Sequence, residues 1–305
     1  MNDIPDIQPE EATEAGWLPI REIARQTGVN AVTLRAWERR YGLIVPHRTP
    51  KGHRLYSEEH VQRVQNILTW LNRGVSVSQV KALIDNRQPE SMPQGNDWQA
   101  LRQNLLAAIH DLAERRLDDT FNQAMSLYPP RTLCEQLLQP LLAELEQRWQ
   151  GQLGAQLEQV FFYSWLRSKF GARIYHNNRQ FSGPPLLLVN HSDLPMEPHL
   201  WLIAWLVSSA DCPVEVFDWP LPVGELALAT ERLQARGVLL YSSKALSPGQ
   251  LPRLLATITC PRLLVGPAVR IHADELSTAA NELEGLTLAE DPLAAQTALQ
   301  RLDLI

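Results

Sequence analysis

Residues Leu18–Asp85 read LPIREIARQTGVNAVTLRAWERRYGLIVPHRTPKGHRLYSEEHVQRVQNILTWLNRGVSVSQVKALID. Ile20, Ile23 and Ala24 recur at helical spacing, and Gly28 stops that helix. The tight link Thr27-Gly28-Val29-Asn30 leads into a second helix, Ala31 to Tyr41. The pattern predicts Val32, Leu34 and Trp37 inward and Thr33, Arg35, Arg39 and Arg40 outward. Two short helices joined through a glycine turn make a helix-turn-helix unit.

Gly42 ends the second helix. Pro46-His47-Arg48 and His53-Arg54-Leu55-Tyr56 flank Thr49-Pro50-Lys51-Gly52, a run with turn chemistry. A hairpin with basic arms, a wing, is expected there. Ser57 followed by Glu58 and Glu59 starts a further helix as an N-cap with acids in its first turn. Val61, Val64, Ile67, Leu68 and Leu71 form its apolar stripe, Gly74 ends it, and a short helix with Val80, Leu83 and Ile84 inward follows. The second helix of such a unit enters the major groove of DNA. Arginine there offers a bidentate fork to guanine or a clamp on phosphate. Thr33, Arg35, Arg39, Arg40, Tyr41, Arg48, Lys51, His53, Arg54 and Tyr56 are the expected DNA-facing residues.

The segment resembles the DNA-binding head of the MerR family of transcription regulators. The resemblance is carried by Ile23-Ala24, Thr33-Leu34-Arg35, Glu38-Arg39, Tyr41-Gly42-Leu43, Arg48, Gly52-His53-Arg54-Leu55-Tyr56 and Gly74-Val75-Ser76. It implies double-stranded promoter DNA as a partner, RNA polymerase as a possible second one, and a homo-oligomer on DNA.

Charge agrees with a phosphate-binding head. The chain carries a formal net −6, yet residues 17–86 hold eleven Arg/Lys against five Asp/Glu. Residues 1–16 hold five acids and no base, which fits a disordered acidic leader. Three distant cysteines, Cys134, Cys212 and Cys260, argue against a disulfide framework or zinc cluster and fit a reducing cytoplasm. No long apolar run predicts a membrane span.

After Asp85 comes NRQPESMPQGN, whose prolines and glycine exclude a continuous helix, so a linker and a mobile, tethered head are expected. From Trp98 to Tyr175 the periodicity is helical. One stripe is Trp98, Leu101, Leu105, Ile109 and Leu112. A second helix runs from Leu117 to Tyr128. The third carries Leu133 to Trp149 with a kink at Pro140. The fourth holds Leu157, Phe161, Phe162, Trp165 and Phe170. These predict a four-helix bundle. Beyond Gly183-Pro184-Pro185 the apolar runs Leu186–Val189, Val214–Phe217, Val238–Tyr241 and Leu263–Val265 alternate with helices expected at 197–210, 224–236 and 249–258. Alternation of this kind predicts a flavodoxin-like doubly wound parallel sheet. The predicted class is therefore multidomain: an all-α winged helix-turn-helix head, a four-helix bundle and an α/β doubly wound sheet. The expected divisions are leader 1–16, head 17–86, linker 87–97, bundle 98–180, flavodoxin-like domain 184–290 and C-terminal helix 291–305.

This order of modules resembles the cobalamin-sensing branch of the family, some members of which respond to light. That resemblance implies a cobalt-ligating histidine in an acid-x-His-x-x-Gly motif. The aligned residues are Glu197-Pro198-His199-Leu200-Trp201-Leu202, so the acid and His199 are present and Leu202 replaces the glycine. The bundle signature, a Trp followed after nine residues by Glu-His, becomes Trp149 followed after eight by Glu158-Gln159. Gly-Gly after the fourth strand becomes Gly266-Pro267, and Ser242-Ser243 is kept. His199, Trp149, Glu158, Ser242 and Gly266 are the residues that cobalamin would use. The departures predict a body that keeps the fold and has lost the pocket, with no cofactor. The alternatives are a cobalamin-dependent regulator using His199, light-responsive or not, and a corrinoid carrier or enzyme. No nucleophile–base pair or Gly-rich phosphate loop is present, so no catalytic residue, no enzyme and no metal site are expected.

Overall fold

The computed structural model describes residues 16–85, 96–151, 153–244, 258–272, 276 and 286–305. The leader up to residue 15, the linker up to residue 95 and all but the last residue of the helix expected at 249–258 lie outside the described residues. The chain forms two compact units, Met1–Glu158 and Gln159–Ile305.

In the first unit, β1 (Leu18–Pro19) leads into α1 (Ile20–Thr27). Gly28 closes α1 at φ 69°, a left-handed conformation that glycine adopts without strain. Asn30 caps α2 (Ala31–Ala36) by accepting from the Thr33 backbone N–H at 2.8 Å. The helix continues without a break as a π turn over Trp37–Tyr41 and ends at Gly42. β2 (His47–Arg48) and β3 (Arg54–Tyr56) form the expected wing hairpin, Arg48 opposite Arg54. β1 pairs with β3 as well, giving a three-stranded order β1-β3-β2. Ser57 starts α3 (Glu58–Asn72) with a capping box in which His60 fills the reciprocal position. α4 (Val77–Ile84) follows.

α5 (Asn96–His110), α6 (Glu114–Leu127), α7 (Pro130–Leu133) and α8 (Gln139–Trp149) supply the helix-rich middle. A π turn over Cys134–Leu138 joins α7 to α8. It places Pro140 in the first turn of α8, where its missing N–H breaks no ladder. Leu112 is not part of the α5 stripe: it lies beyond the helix end at φ 51° and is exposed.

The head is not a loosely tethered reader. Trp37 donates its indole N–H to the Leu127 carbonyl at 2.8 Å, and both are buried. The Tyr128 hydroxyl accepts from the Val77 backbone N–H at the start of α4. Thr132 donates to the Asn72 side chain at 3.0 Å, and Gln136 to its carbonyl at 3.2 Å. Tyr128 also packs on Trp98, ring centroids 4.3 Å apart. Head and middle helices are thus one compact body.

The division between units falls within α9 (Ala155–Asn178). Leu157, expected inside, is largely exposed. The second unit holds β4 (Leu186–Asn190), α10 (Pro198–Ser208), β5 (Val214–Phe217), α11 (Leu226–Leu233), β6 (Gly237–Tyr241), β7 (Arg262–Val265), α12 (Pro267–Ile271), β8 (Leu286–Ala289) and α13 (Pro292–Arg301). Its five strands are parallel in the order β5-β4-β6-β7-β8, the flavodoxin-like order. β8 completes the sheet and was not expected from the sequence. β4, β6 and β7 are buried along their whole length, as central parallel strands with both faces covered must be. α10 is apolar and buried on every side except at His199, which is partly exposed.

Candidate nucleic-acid interface

The α2 helix has two faces. Leu34 and Trp37 are fully buried, and so is Thr33. Thr33 was expected to face DNA; its burial removes it from any base or phosphate contact. The apolar pattern misled here, because Val32 is not inward but 60% exposed. Val32 and Arg39 are two turns apart, with Arg35 and Ala36 between them, so all four share the outer face. Arg39 and Arg40 are exposed and Arg35 and Tyr41 partly so. Trp37, on the opposite flank, meets α6, while Val32, Arg39 and Arg40 stay exposed on the outer face and Arg35 and Ala36 partly so.

The wing tip is turned outward. Gly52, at φ 82°, closes the turn by donating its N–H to the Thr49 carbonyl at 2.8 Å. Arg48, Lys51 and His53 are exposed around it. Arg48 and Arg54 do not project independently. Glu38, on the π turn, accepts from Arg48 Nη2 at 2.5 Å and from Arg54 Nε at 2.6 Å. Burial pushes the Glu38 carboxyl up, but the two guanidinium groups override it and hold it below the usual carboxylate range. Tyr56 is also corrected: its ring is buried, which raises its phenol to about 12. It sits within the field of Glu38, Arg54, Arg35 and Arg48 and underlies them instead of reaching outward. Sequence reasoning had Glu38 only as a matching letter. Its role is to bind the reading helix to the wing.

The residues expected for cobalamin separate into two groups. Trp149 donates its indole N–H to Glu158 at 3.3 Å despite the shortened spacing. Glu158 also accepts from Arg148 at 3.1 Å and pairs with His110 Nδ1 at 2.8 Å. Its carboxylate is therefore occupied by three partners. His199, Ser242 and Gly266 belong to the other unit, at the carboxyl end of its sheet. The His199 ring lies flat beside Tyr241, centroids 6.2 Å apart and planes 8° from parallel. Burial lowers its pKa to about 4. A metal-bound histidine almost always gives its second ring N–H to a carboxylate or carbonyl. The charge of Asp291 acts on the His199 ring, while Glu197 accepts from the Ser243 hydroxyl. Burial raises the Glu197 carboxyl above its ordinary value. Leu202, in place of the small residue a nucleotide tail needs, is fully buried. Ser242 donates to the carbonyls of His191 and Lys244, and so joins two loops. Gly266 has φ 113°, and a Cβ there would meet the Ser242 carbonyl oxygen at 2.6 Å, so the backbone itself requires glycine. Among the described residues at this edge, Glu197, Ser242 and Gly266 each serve a contact of the fold, and Leu202 fills the position of the small residue.

An open basic face on the second helix of a helix-turn-helix, flanked by a basic wing, defines a winged helix-turn-helix DNA-binding protein. Residues 18–87 match the MerR HTH family regulatory protein model. The chain is 30% identical to the HTH-type transcriptional regulator MlrA of Escherichia coli K12 over 241 residues, 77% of this chain and 92% of that protein. The chain belongs to the MerR family of transcription regulators. Residues 101–174 match a B12 binding domain. The chain is also similar to the HTH-type transcriptional repressor CarH of Myxococcus xanthus, 28% identical over 140 residues, 42% of this chain and 46% of that one. CarA, a repressor of the same organism, is 33% identical over 130 residues, covering 42% and 44% of the two chains. No helix among the described residues is long and apolar enough to cross a membrane.

Proposed function

We propose that the protein reads a promoter operator in the cytoplasm as a homo-oligomer, one head on each half-site, and from there acts on RNA polymerase. Arg35, Arg39 and Arg40 face the major groove; Arg48, Lys51, His53 and Arg54 hold the phosphates on either side. The observation that carries this reading is the open outer face of α2, with Arg39 and Arg40 exposed beside an exposed wing tip. The test is operator selection from random duplexes with the full chain, followed by titration of Arg35→Ala. A loss of about 1–3 kcal/mol on the selected site, with random duplex unchanged, fits base reading. Equal loss on both duplexes makes Arg35 a phosphate contact only.

The domain divisions expected from the sequence are kept in this reading, with the bundle and sheet as a non-catalytic control module. We further propose that this module works without cobalamin. Support comes from buried Leu202, from the His199 ring against Tyr241, and from a Glu197 carboxylate committed to Ser243. Hydroxocobalamin is mixed with the full chain, free corrinoid is removed by gel filtration, and the visible spectrum is recorded. No co-eluting corrinoid is expected. A bound corrinoid whose spectrum shifts on His199→Ala reverses the reading.

A further inference from the structure

We infer that Val32 is a specificity-determining residue, packing its isopropyl group against the C5-methyl of a thymine in each operator half-site; the inference rests on the outer face of α2 being the DNA-facing one. Val32 is the second residue of the helix and 60% exposed, on the same face as Arg35 and Arg39. An apolar side chain there has no hydrogen-bonding use, and it is too short to snorkel along the basic groups around it. Early residues of a recognition helix are those that reach base edges. Among the groups base pairs present in the major groove, the thymine methyl is the apolar one. Valine in a helix is held almost entirely in one χ1 rotamer, so its methyl groups are presented with little entropy left to lose. Asn30, bonded to the Thr33 N–H, fixes where the helix begins and therefore where Val32 points. Arginine on the neighbouring turns supplies attraction for the duplex, and the valine supplies discrimination between thymine and the other bases.

The experiment uses the full chain and its selected operator duplex. Each thymine is replaced singly by uracil, which removes the methyl group and leaves the hydrogen-bonding edges intact. Affinity is measured for the wild type, Val32→Ala and Arg35→Ala. One uracil position per half-site is expected to weaken the wild type about fourfold, the effect of one buried methyl-sized group. The same replacement should leave Val32→Ala unchanged, and Val32→Ala should bind random duplex as the wild type does. Three results overturn the inference: no sensitive thymine, a thymine equally costly to both proteins, or a Val32→Ala loss that is the same on random duplex. If Arg35→Ala also leaves operator affinity intact, it is the reading of the whole face that has failed. If Arg35→Ala weakens the operator while every uracil is tolerated, only the role of Val32 has failed. Thermal unfolding of Val32→Ala, a change at an exposed position, confirms that folding is not the cause.

Discussion

The indole N–H of Trp37 donates to the carbonyl of Leu127, ninety positions further along the chain, at 2.8 Å and away from solvent. Trp37 sits at the point where the reading helix passes into its π turn, and Leu127 ends α6. One bond therefore ties the DNA-facing element to the helices that follow the head.

Trp37→Phe keeps an aromatic ring but removes the indole N–H and part of the buried bulk, and it leaves the Leu127 carbonyl buried and unpaired. Denaturant unfolding of the full chain is expected to show a loss of about 1–3 kcal/mol. An unchanged midpoint would mean that water replaces the bond.

Glu38→Gln tests the link between helix and wing. The folded carboxyl is held below its ordinary value, so its contribution is fully present above the unfolded carboxylate pKa and is lost as pH falls through the folded one. The variant should lose stability at neutral pH and differ less from the wild type as the solution is acidified below the ordinary carboxylate range. A gap that stays constant with pH would show that the ion pairs contribute nothing.

His199→Phe separates burial from ligation. The folded imidazole titrates near 4 against an ordinary 6.5, so the folded state disfavours its charged form. Its stabilising effect is full above 6.5 and is lost as pH falls through 4. Glu197, raised by burial, works in the opposite sense, so the informative quantity is the difference between variant and wild type. Across that window the wild type should weaken relative to His199→Phe. Parallel pH profiles would contradict a buried neutral imidazole.

Gly266→Ala places a Cβ 2.6 Å from the Ser242 carbonyl at a positive φ. A fall in melting temperature is expected with no cofactor involved. A melting temperature equal to the wild type's would return Gly266 to the candidates for ligand contact.

The head was legible because its helices, turn glycines and wing are specified locally. Gly28, Gly42 and Gly52 each stand at a left-handed position. The error over Val32 and Thr33 has a physical source. Residues 33, 34 and 37 form the buried stripe, and Val32, though apolar, stands outside it. The sheet's central strands were legible as unbroken apolar runs. The edge strand β8, Leu286–Ala289, carries a threonine and partly exposed positions and gave no such signal. The Trp37–Leu127 and Tyr128–Val77 contacts lie beyond local patterns, so the sequence did not show that the head packs on the helices that follow it. Of the cobalamin residues, motif spacing located Trp149 beside Glu158, but it did not reveal that Arg148 and His110 fill the same carboxylate.

Glu38 also changes how the wing should respond to salt. Arg48, Arg54 and Glu38 together present one net positive charge to the duplex. Each phosphate neutralised on double-stranded DNA contributes about −0.9 to the slope of log affinity against log salt. The trio should enter that slope as one phosphate contact and not two, with Glu38 acting as a built-in counterion that never diffuses away.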